Sequence, residues 1–328
     1  MKKRVLSGMR ATGRLHLGNY LGAAKGYLEL SDSGEYDTFY MVADAHAVTT
    51  PFEPSELAQS RINVIMDYLA VGLNPEKSTL FIQSMVPEHF ELAHYFASVM
   101  SIARMQHLPT FKEKVKQYPN AASMALLNYP ILMAADILVY KASLVPVGID
   151  QEPHLEVARE IARKMNEMYG TDFPEPAIFK TNSPYVPSLL GEGKMSKTVE
   201  GSYINLTDDL ETIQSKLAGA PTDSGKGDKI PSEGGVANLL KFVELFEGEE
   251  KRKSYESQYM ESGIRYGDLK KELAAAIFAE LKPIQEKRRE LEKNPDYVTK
   301  VIEEGAEKAR VVASLTLTEV KEKMGLQS

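Results

Sequence analysis

A short segment near the start of the chain combines residue types that suit phosphate chemistry. In residues 12–19, His16 and Asn19 stand three positions apart, so both side chains can face one side of a helix. Gly18 has no side chain and lets a nucleotide approach the backbone closely. The segment opens a predicted helix, and free N–H groups at a helix start attract phosphate. Taken alone, it fits an ordinary strand–helix turn with a surface histidine equally well.

A second segment, residues 191–198, reads Gly-Glu-Gly-Lys-Met-Ser-Lys-Thr. Lys194 and Lys197 can neutralise the charge that develops on a leaving pyrophosphate, and the glycines allow the loop to move. A Lys-x-x-Lys pair alone is more often a solvated basic loop. Both segments in this order on one chain indicate an enzyme that activates a carboxylate with ATP.

Alternating strand-like and helix-like patterns must position these segments. Strands followed by helices imply βαβ units, a parallel sheet and a Rossmann-like, doubly wound α/β fold. Ligands of such sheets bind at the carboxyl ends of the strands. The strands are predicted at 4–9, 38–43, 78–83 and 143–147, and helical patterns cover 17–28, 55–71 and 155–165.

After about residue 202 the patterns become helical throughout. Thr207 is predicted to cap a helix whose first turn holds Asp208 and Asp209, because acidic residues suit the helix dipole. We therefore expect a catalytic domain over 1–201 and an all-helical domain over 202–328, with the last helix packing back on the first domain. The predicted helices of this part are 237–245, 251–259, 266–291 and 297–323, after a loop at 218–235.

Composition excludes several kinds of chemistry. The chain has no cysteine, which rules out disulfides, iron–sulfur clusters and thiolate zinc sites. Its six histidines include no His-x-x-x-His pair, so zinc is not expected. The net charge of −7 means that RNA would have to dock on local basic patches. Because no apolar run reaches the roughly 20 residues of a membrane span, and residues 1–8 are too short for a signal peptide, we expect a cytoplasmic protein.

The combination of His16-Leu17-Gly18-Asn19 with Lys194-Met195-Ser196-Lys197-Thr198 resembles the two signature motifs of class I aminoacyl-tRNA synthetases. Asn19 replaces the second histidine of the family motif, and Thr198 keeps the hydroxyl of the family's serine. The resemblance covers nearly the whole chain and is greatest to the bacterial tryptophan branch. Further matching stretches are 7–9, 18–23, 43–47, 111–114, 133–138, 147–151 and 304–306.

This resemblance implies ATP- and Mg²⁺-dependent activation of L-tryptophan and its transfer to tRNA(Trp), with release of pyrophosphate and AMP. It also implies a homodimer, for which the apolar segment 85–105 is a candidate interface, although that segment equally fits ordinary core. The helical domain would read the anticodon. Its basic runs are candidate phosphate contacts, or simply solvated helix faces: 251–253, 265, 270–271 and 288–289.

The resemblance further implies roles for individual residues in handling ATP. Arg10 stands where many relatives carry glutamine, so its contact is open, and Asp150 can bind a ribose hydroxyl or simply cap a helix. The implied catalytic residues are His16, Asn19, Lys114, Lys194 and Lys197. The implied ATP contacts are Arg10, Ala11, Thr12, Gly18, Asn19, Gly148, Ile149, Asp150, Val186, Lys194, Met195, Ser196, Lys197 and Thr198.

For the amino acid, Asp136 stands out because it interrupts an apolar run, and a buried carboxylate is costly without a partner. The resemblance implies that it accepts the indole N–H, whereas its plain alternative is helix capping. Met133 would pack on the indole plane or belong to the core. The remaining implied contacts are Tyr129 and Gln151 at the amino end, with His46 and Leu6 nearby, where His46 alone fits a structural histidine equally well.

Three rival functions remain open from the sequence. A tyrosine-activating relative shares the fold and both motifs, and the Asp136 neighbourhood favours tryptophan over it. A small-molecule nucleotidyltransferase has no need of the helical part after residue 202. A non-catalytic RNA-binding relative has no need of intact His16, Gly18, Lys194 and Lys197.

Overall fold

The computed structural model describes residues 2–117, 122–180, 184–197 and 199–326. The chain forms two compact units. The sheet unit comprises Met1–Gly13, Gly26–Thr181 and Asn294–Ser328. The second unit, here called the loop–helix unit, comprises Arg14–Lys25 and Asn182–Lys293.

The sheet unit contains five parallel strands in the order β3-β2-β1-β4-β5. This confirms the predicted Rossmann-like α/β class. β4 is shorter than its predicted range, and β5 was not predicted because two residues leave no periodic signal. The strands are β1 (Lys3–Arg10), β2 (Tyr36–Ala43), β3 (Ser78–Ile82), β4 (Leu144–Val145) and β5 (Ala177–Ile178).

The order of the strands indicates where on the sheet a ligand would bind. β2 is buried on both faces from Thr38 to Ala43, as expected of a parallel strand covered by helices on both sides. The strand order reverses between β1 and β4, and open α/β sheets bind ligands at the carboxyl ends of strands beside such a reversal. β1 ends there at Arg10, and a short 3₁₀ helix, Ile149–Gln151, follows β4.

Helices account for most of the remaining described chain. A π-helix, Tyr20–Ala24, joins the first two, and further 3₁₀ helices occupy Ala45–Thr49 and Gln83–Met85. The α-helices are α1 (Leu17–Asn19), α2 (Lys25–Ser33), α3 (Pro54–Ala70), α4 (Glu88–Ala97), α5 (Ile102–Gln106), α6 (Pro109–Gln117), α7 (Met124–Leu138), α8 (Glu152–Tyr169), α9 (Leu210–Ala218), α10 (Gly234–Glu247), α11 (Glu249–Glu261), α12 (Tyr266–Glu292) and α13 (Pro295–Lys323). No helix among the described residues is long and apolar enough to cross a membrane.

The last helix, α13, belongs to the sheet unit and lies against β3. Gly305 makes this contact possible, because a Cβ at that position would lie 1.7 Å from the carbonyl oxygen of Leu80. The helix therefore approaches the strand backbone directly. The functional division at residue 201 stays a prediction.

Within the loop–helix unit, the His16 segment is attached to the chain around residue 205. The N–H of Leu17 donates to the Ile204 carbonyl over 2.9 Å. Helix α12 supports both partners, since Gln285 Nε2 donates to the carbonyl of Leu206 over 2.9 Å. Glu280 of the same helix accepts from the Tyr20 hydroxyl over 2.9 Å and pairs with Lys25 over 2.8 Å.

The cap predicted at Thr207 is wrong. Helix α9 begins at Leu210, and Asp209 caps it by accepting from the N–H of Thr212 over 2.8 Å. Asp208 lies outside the helix, where it accepts from the N–H of Asn205 over 2.9 Å. Neither aspartate lies in the first turn as predicted, because the helix begins later than the sequence suggested.

Candidate active site

His16 is held in one tautomer by its own helix. Its Nδ1 accepts from the Asn19 N–H over 3.3 Å, while its backbone N–H donates to Asn19 Oδ1 over 3.2 Å. Burial, together with the nearby charges of Lys197 and Lys194, lowers the pKa of His16 to about 3. The ring is therefore neutral at physiological pH and carries its proton on Nε2, which makes it a neutral hydrogen-bond donor.

The backbone at the start of α1 is already engaged. The N–H of Leu17 bonds to Ile204, and the N–H of Asn19 bonds back to His16. These two amides do not supply the free phosphate-binding groups that the helix start led us to expect.

Gly18 brings the two sequence motifs together. A Cβ at residue 18 would lie 2.8 Å from Cε1 of His16 and 3.3 Å from Cβ of Met195. Met195 is 3% exposed, so the centre of the second motif is packed against the first. The two predicted phosphate segments are thus neighbours in the loop–helix unit.

The second motif is anchored on both sides by backbone contacts. The N–H of Met195 donates to the Val186 carbonyl over 3.2 Å, and the Ser202 hydroxyl donates to the Ser196 carbonyl over 2.6 Å. Lys194 is exposed and Lys197 half-buried. Two cations are thereby carried on a tethered loop close to a neutral histidine. The predicted contact Thr198 lies outside the described residues.

In the sheet unit, the predicted ATP residues gather at the carboxyl ends of β1 and β4. The Arg10 guanidinium donates to the carbonyl of His46 over 3.1 Å and to the Thr50 hydroxyl over 3.3 Å. Asp150 is exposed and accepts from Gln151 Nε2 over 2.8 Å. Ala11 is buried, whereas Thr12, Gly148 and Ile149 are exposed.

Lys114 belongs to a different element of the sheet unit. It lies in the last turn of α6, where its Nζ donates to Gln117 Oε1 over 2.8 Å. The ammonium group is thus carried on a half-exposed helix with no buried residue. Its predicted role toward phosphate stays a prediction.

Helix α7 carries the predicted amino-acid contacts on one face. Tyr129, Met133 and Asp136 are spaced four and three residues apart, the spacing at which helical side chains are neighbours. Asp136 is fully buried, whereas Tyr129 and Met133 are half-buried. Leu6 of β1 is 2% exposed and belongs to the same apolar core.

The carboxylate of Asp136 bonds side chains from other elements, not the end of its own helix. It accepts from His46 Nε2 over 2.8 Å, from His89 Nδ1 over 2.5 Å and from Gln83 Nε2 over 2.8 and 2.9 Å. Burial raises the pKa of this carboxyl, but the hydrogen bonds from the two histidines outweigh burial and hold the pKa below its usual range. The simple capping interpretation is therefore wrong.

Three partners of this cluster were missed in the sequence. Gln83 directly follows β3, and a polar residue at the carboxyl end of a parallel strand is a signal that could have found it. His89 is fully buried, and its Nε2 bonds the Tyr140 hydroxyl over 2.6 Å. A single histidine or tyrosine in a helical apolar run carries no such signal.

Tyr129 is anchored by its own hydrogen bonds. Its hydroxyl lies 2.6 Å from His154 Nε2 and donates to the Thr110 hydroxyl over 2.8 Å. Burial, followed by the charge of His46, lowers the pKa of His154, and burial raises the pKa of Tyr129. Both rings are therefore uncharged at neutral pH, and Tyr129 presents a fixed polar edge.

The basic residues proposed for RNA differ in availability. Arg288 is 2% exposed and pairs with Glu292 over 3.1 Å, so a surface role for it is wrong. Lys251 pairs with Glu272 over 2.7 Å. Arg265, Lys271 and Arg289 are exposed.

The segment 85–105 contains both buried and exposed apolar side chains. Leu92, Phe96 and Met105 are buried in the core of the sheet unit. Phe90 and Ile102 remain 40% and 65% exposed. Only the exposed side chains are available to an interface.

A parallel sheet of this order, with a His-Leu-Gly-Asn helix start packed on a Lys-Met-Ser-Lys loop, defines a class I synthetase. The family model described as tRNA synthetases class I (W and Y) matches residues 1–282, and the chain belongs to this family.

Three relatives indicate which members of this family the chain resembles. The chain is 40% identical to the tryptophan–tRNA ligase of Porphyromonas gingivalis, over 98% of this chain and 99% of the relative. Tryptophanyl-tRNA synthetase from Campylobacter jejuni, solved with ADP and tryptophan, superposes with a TM-score of 0.85 at 32% identity, covering 98% of this chain and 100% of the other. The Mycoplasma pneumoniae enzyme gives the same TM-score and identity, over 100% and 99% of the two chains.

Proposed function

We propose that the protein is a tryptophan–tRNA ligase, which activates L-tryptophan with ATP and transfers it to tRNA(Trp). The observation that carries the choice of amino acid is Asp136, an ionised, fully buried carboxylate on the face of α7 that also carries Tyr129 and Met133. A buried acceptor that must be satisfied rejects ligands without a matching donor. The indole N–H is such a donor, and the full-length likeness to tryptophan–tRNA ligases supports this choice.

The first step needs no nucleophile from the protein. A carboxylate oxygen of tryptophan attacks the α-phosphorus of ATP, the bond from that phosphorus to the bridging oxygen breaks, and pyrophosphate leaves with the electron pair. The protein contributes position and charge. The neutral Nε2–H of His16 donates to a phosphate oxygen, and Lys194 and Lys197 balance the charge that builds on pyrophosphate.

The remaining ATP contacts are proposed separately for each unit. In the sheet unit, Asp150 takes a ribose hydroxyl, and Lys114 takes phosphate. In the loop–helix unit, the Val186 backbone meets the adenine. Among the described residues, no group of three His, Asp or Glu could hold a metal ion. Mg²⁺ is proposed to arrive on the phosphates of ATP, as it commonly does. The other proposed contacts are Arg10, Ala11, Thr12, Gly18, Asn19, Gly148, Ile149, Met195, Ser196 and Thr198.

For the amino acid, we assign Asp136 to the indole nitrogen and Met133 to the indole plane. Tyr129 and Gln151 are assigned to the amino end, with His46 and Leu6 beside the ligand. The proposal includes the second step, in which a terminal ribose hydroxyl of tRNA(Trp) attacks the adenylate carbonyl and releases AMP. It also includes a homodimer, a cytoplasmic location and anticodon reading by the part after residue 202.

Amino-acid-dependent exchange of labelled pyrophosphate into ATP tests the first step. We expect exchange with tryptophan and none above background with tyrosine, followed by charging of tRNA(Trp). Exchange with tyrosine alone would show that the amino acid is wrong. Adenylylation of a phosphorylated cofactor precursor without any amino acid would favour a nucleotidyltransferase, and RNA binding without charging would favour a non-catalytic relative.

A further inference from the structure

Both oxygens of the Asp136 carboxylate are already hydrogen-bonded to its neighbours. Oδ1 accepts from His89 and Gln83, and Oδ2 accepts from His46 and Gln83, at 2.5 to 2.9 Å. Gln83 Nε2 lies almost equally far from both oxygens, so three donors of the described chain engage the two oxygens. An incoming N–H has to compete with these donors.

Two of the three donors are fixed at both ends. His89 and Gln83 are both 0% exposed. The far nitrogen of His89 bonds the Tyr140 hydroxyl over 2.6 Å, and Oε1 of Gln83 accepts from the N–H of Ala45 over 3.1 Å. Moving either side chain would break hydrogen bonds at both of its ends, which is costly in a buried site.

His46 is held differently. Its side chain is 11% exposed, and within the described chain the ring is bonded through Nε2 to Asp136. It lies in the five-residue 3₁₀ helix Ala45–Thr49, and its ring meets that of Tyr129 edge-on at 6.2 Å. Of the three donors, it is the one beside the Tyr129 end of the α7 face, where the amino acid is expected.

We propose that His46 is a placeholder, which donates to Asp136 in the ligand-free protein and yields that acceptor to the indole N–H of tryptophan. This inference rests on the proposed function. His89, oriented by Tyr140, and Gln83 act as positioning residues that keep the carboxylate aimed while the exchange takes place. Without a placeholder, Asp136 Oδ2 in the ligand-free protein would lose one of its two donors inside a buried site.

If the indole N–H replaces His46 on Asp136, the direction in which a His46 variant changes tryptophan affinity can be predicted. Tryptophan gains a hydrogen bond to a charged acceptor but breaks one of the same kind, so much of the gain is offset. Removing His46 removes the bond that has to be broken. The His46→Ala variant should therefore bind tryptophan more tightly, by about 10-fold or more for one hydrogen bond to a charged group. A histidine that stays in place and contacts the ligand would give the opposite sign.

The test uses the full-length protein and L-tryptophan. The chain contains no tryptophan, so indole fluorescence comes from the ligand alone and reports the dissociation constant directly. His46→Phe is the second variant, because it keeps a ring of similar size without a donor. Tyr140→Phe is the matched control, since it loosens His89 and leaves His46 intact, and it should not tighten binding.

A spectroscopic signature separates exchange from a purely structural effect. With histidine labelled by ¹⁵N, the ring N–H protons bonded to Asp136 give downfield resonances that are assigned through the His46 and His89 variants. We expect tryptophan to remove the His46 signal and retain the His89 signal. An intact His46 signal at saturating tryptophan, or weaker binding by both His46 variants, would overturn the placeholder.

A separate experiment tests the proposed function independently of the placeholder. An analogue with sulfur in place of the indole N–H, 3-benzothienylalanine, should bind the wild-type protein more weakly than tryptophan. Equal binding would show that the protein does not recognise the indole N–H.

The Tyr140→Phe variant tests the positioning role of His89. Its preference for tryptophan over the analogue should shrink several-fold, because the carboxylate is less firmly aimed. An unchanged preference would contradict the positioning role.

Discussion

The Asp136 cluster and the His16–Lys197 region solve opposite electrostatic problems. In the sheet unit, a fully buried carboxylate stays ionised because three buried or nearly buried donors surround it. In the loop–helix unit, a buried histidine stays neutral because burial and two lysines oppose its protonation. One centre surrounds its carboxylate with hydrogen-bond donors, whereas the other carries an exposed and a half-exposed cation.

This difference matches two tasks. Recognition of one amino acid requires a buried acceptor that a ligand without the matching donor leaves unpaired, so a closed network is useful. Stabilising pyrophosphate as it leaves requires charge that acts mainly in the transition state. We therefore expect changes in the first region to alter binding and changes in the second to alter the rate.

The largest effect is expected at Lys197. Replacing it with Ala removes a charge that is used when pyrophosphate leaves, so the rate of adenylation should fall about 10²- to 10³-fold. Tryptophan affinity should change little. Single-turnover adenylate formation and fluorescence titration measure the two quantities, and Lys229→Ala, an exposed lysine of the same unit, is the control. Equal losses in rate and affinity would remove the distinction between the regions.

Gly18→Ala should have the next largest effect. The new methyl group would press on the His16 ring at 2.8 Å and on Met195 at 3.3 Å, so the ring must move. Misplacement on the 1 Å scale costs up to about 10²-fold in rate. Gly22→Ala is the matched control, because its Cβ would meet only the Pro184 carbonyl, at 3.9 Å. Similar rates for the two variants would show that Gly18 does not set the His16 position.

Stability should respond to packing in the sheet unit. Gly305→Ala would place a methyl group 1.7 Å from the Leu80 carbonyl, and overpacking of this kind typically costs about 1–3 kcal/mol. Gly267→Ala in α12 meets nothing within 4 Å and should be neutral or stabilising, because alanine favours helix. Urea unfolding of both variants measures the free energies. Equal values would contradict the direct contact between α13 and β3.

The last prediction concerns pH and is felt only in acid. The pKa of His16 is about 3 in the folded protein and 6.5 in the unfolded chain, so below pH 6.5 the unfolded state binds the extra proton. Stability from this group is complete above pH 6.5 and is lost as the pH falls toward 3, by at most about 1.4 kcal/mol per pH unit. His16→Gln should flatten the pH dependence of unfolding in that window. An unchanged slope would mean that His16 is not kept neutral.

Much of the fold was predictable because its signals are local. The strands β1 to β3 and the helices α8 and α10 to α13 follow patterns of burial that the sequence displays directly. The start of α9 was misplaced because Thr207, Asp208 and Asp209 are all acceptable caps, and only tertiary contacts choose among them. β5 pairs through two residues and depends wholly on β4.

The candidate site was predictable where a motif defines it and not where folding assembles it. His16, Gly18 and the two loop lysines lie in recognisable segments. Gln83, His89 and Tyr140 come from three separate elements, and each is an ordinary residue until the fold places it beside Asp136. No sequence pattern shows how many donors will surround one carboxylate in the folded protein.

The attachment of the His16 segment to α12 limits how far the protein can be shortened. A fragment ending near residue 201 would leave Tyr20 and Lys25 without Glu280, and it would lack the strand-like partner at residues 204–206. It would also lose α13, which belongs to the sheet unit. A minimal catalytic fragment must therefore retain distant parts of the C-terminal half as scaffold, even for a reaction that involves no RNA.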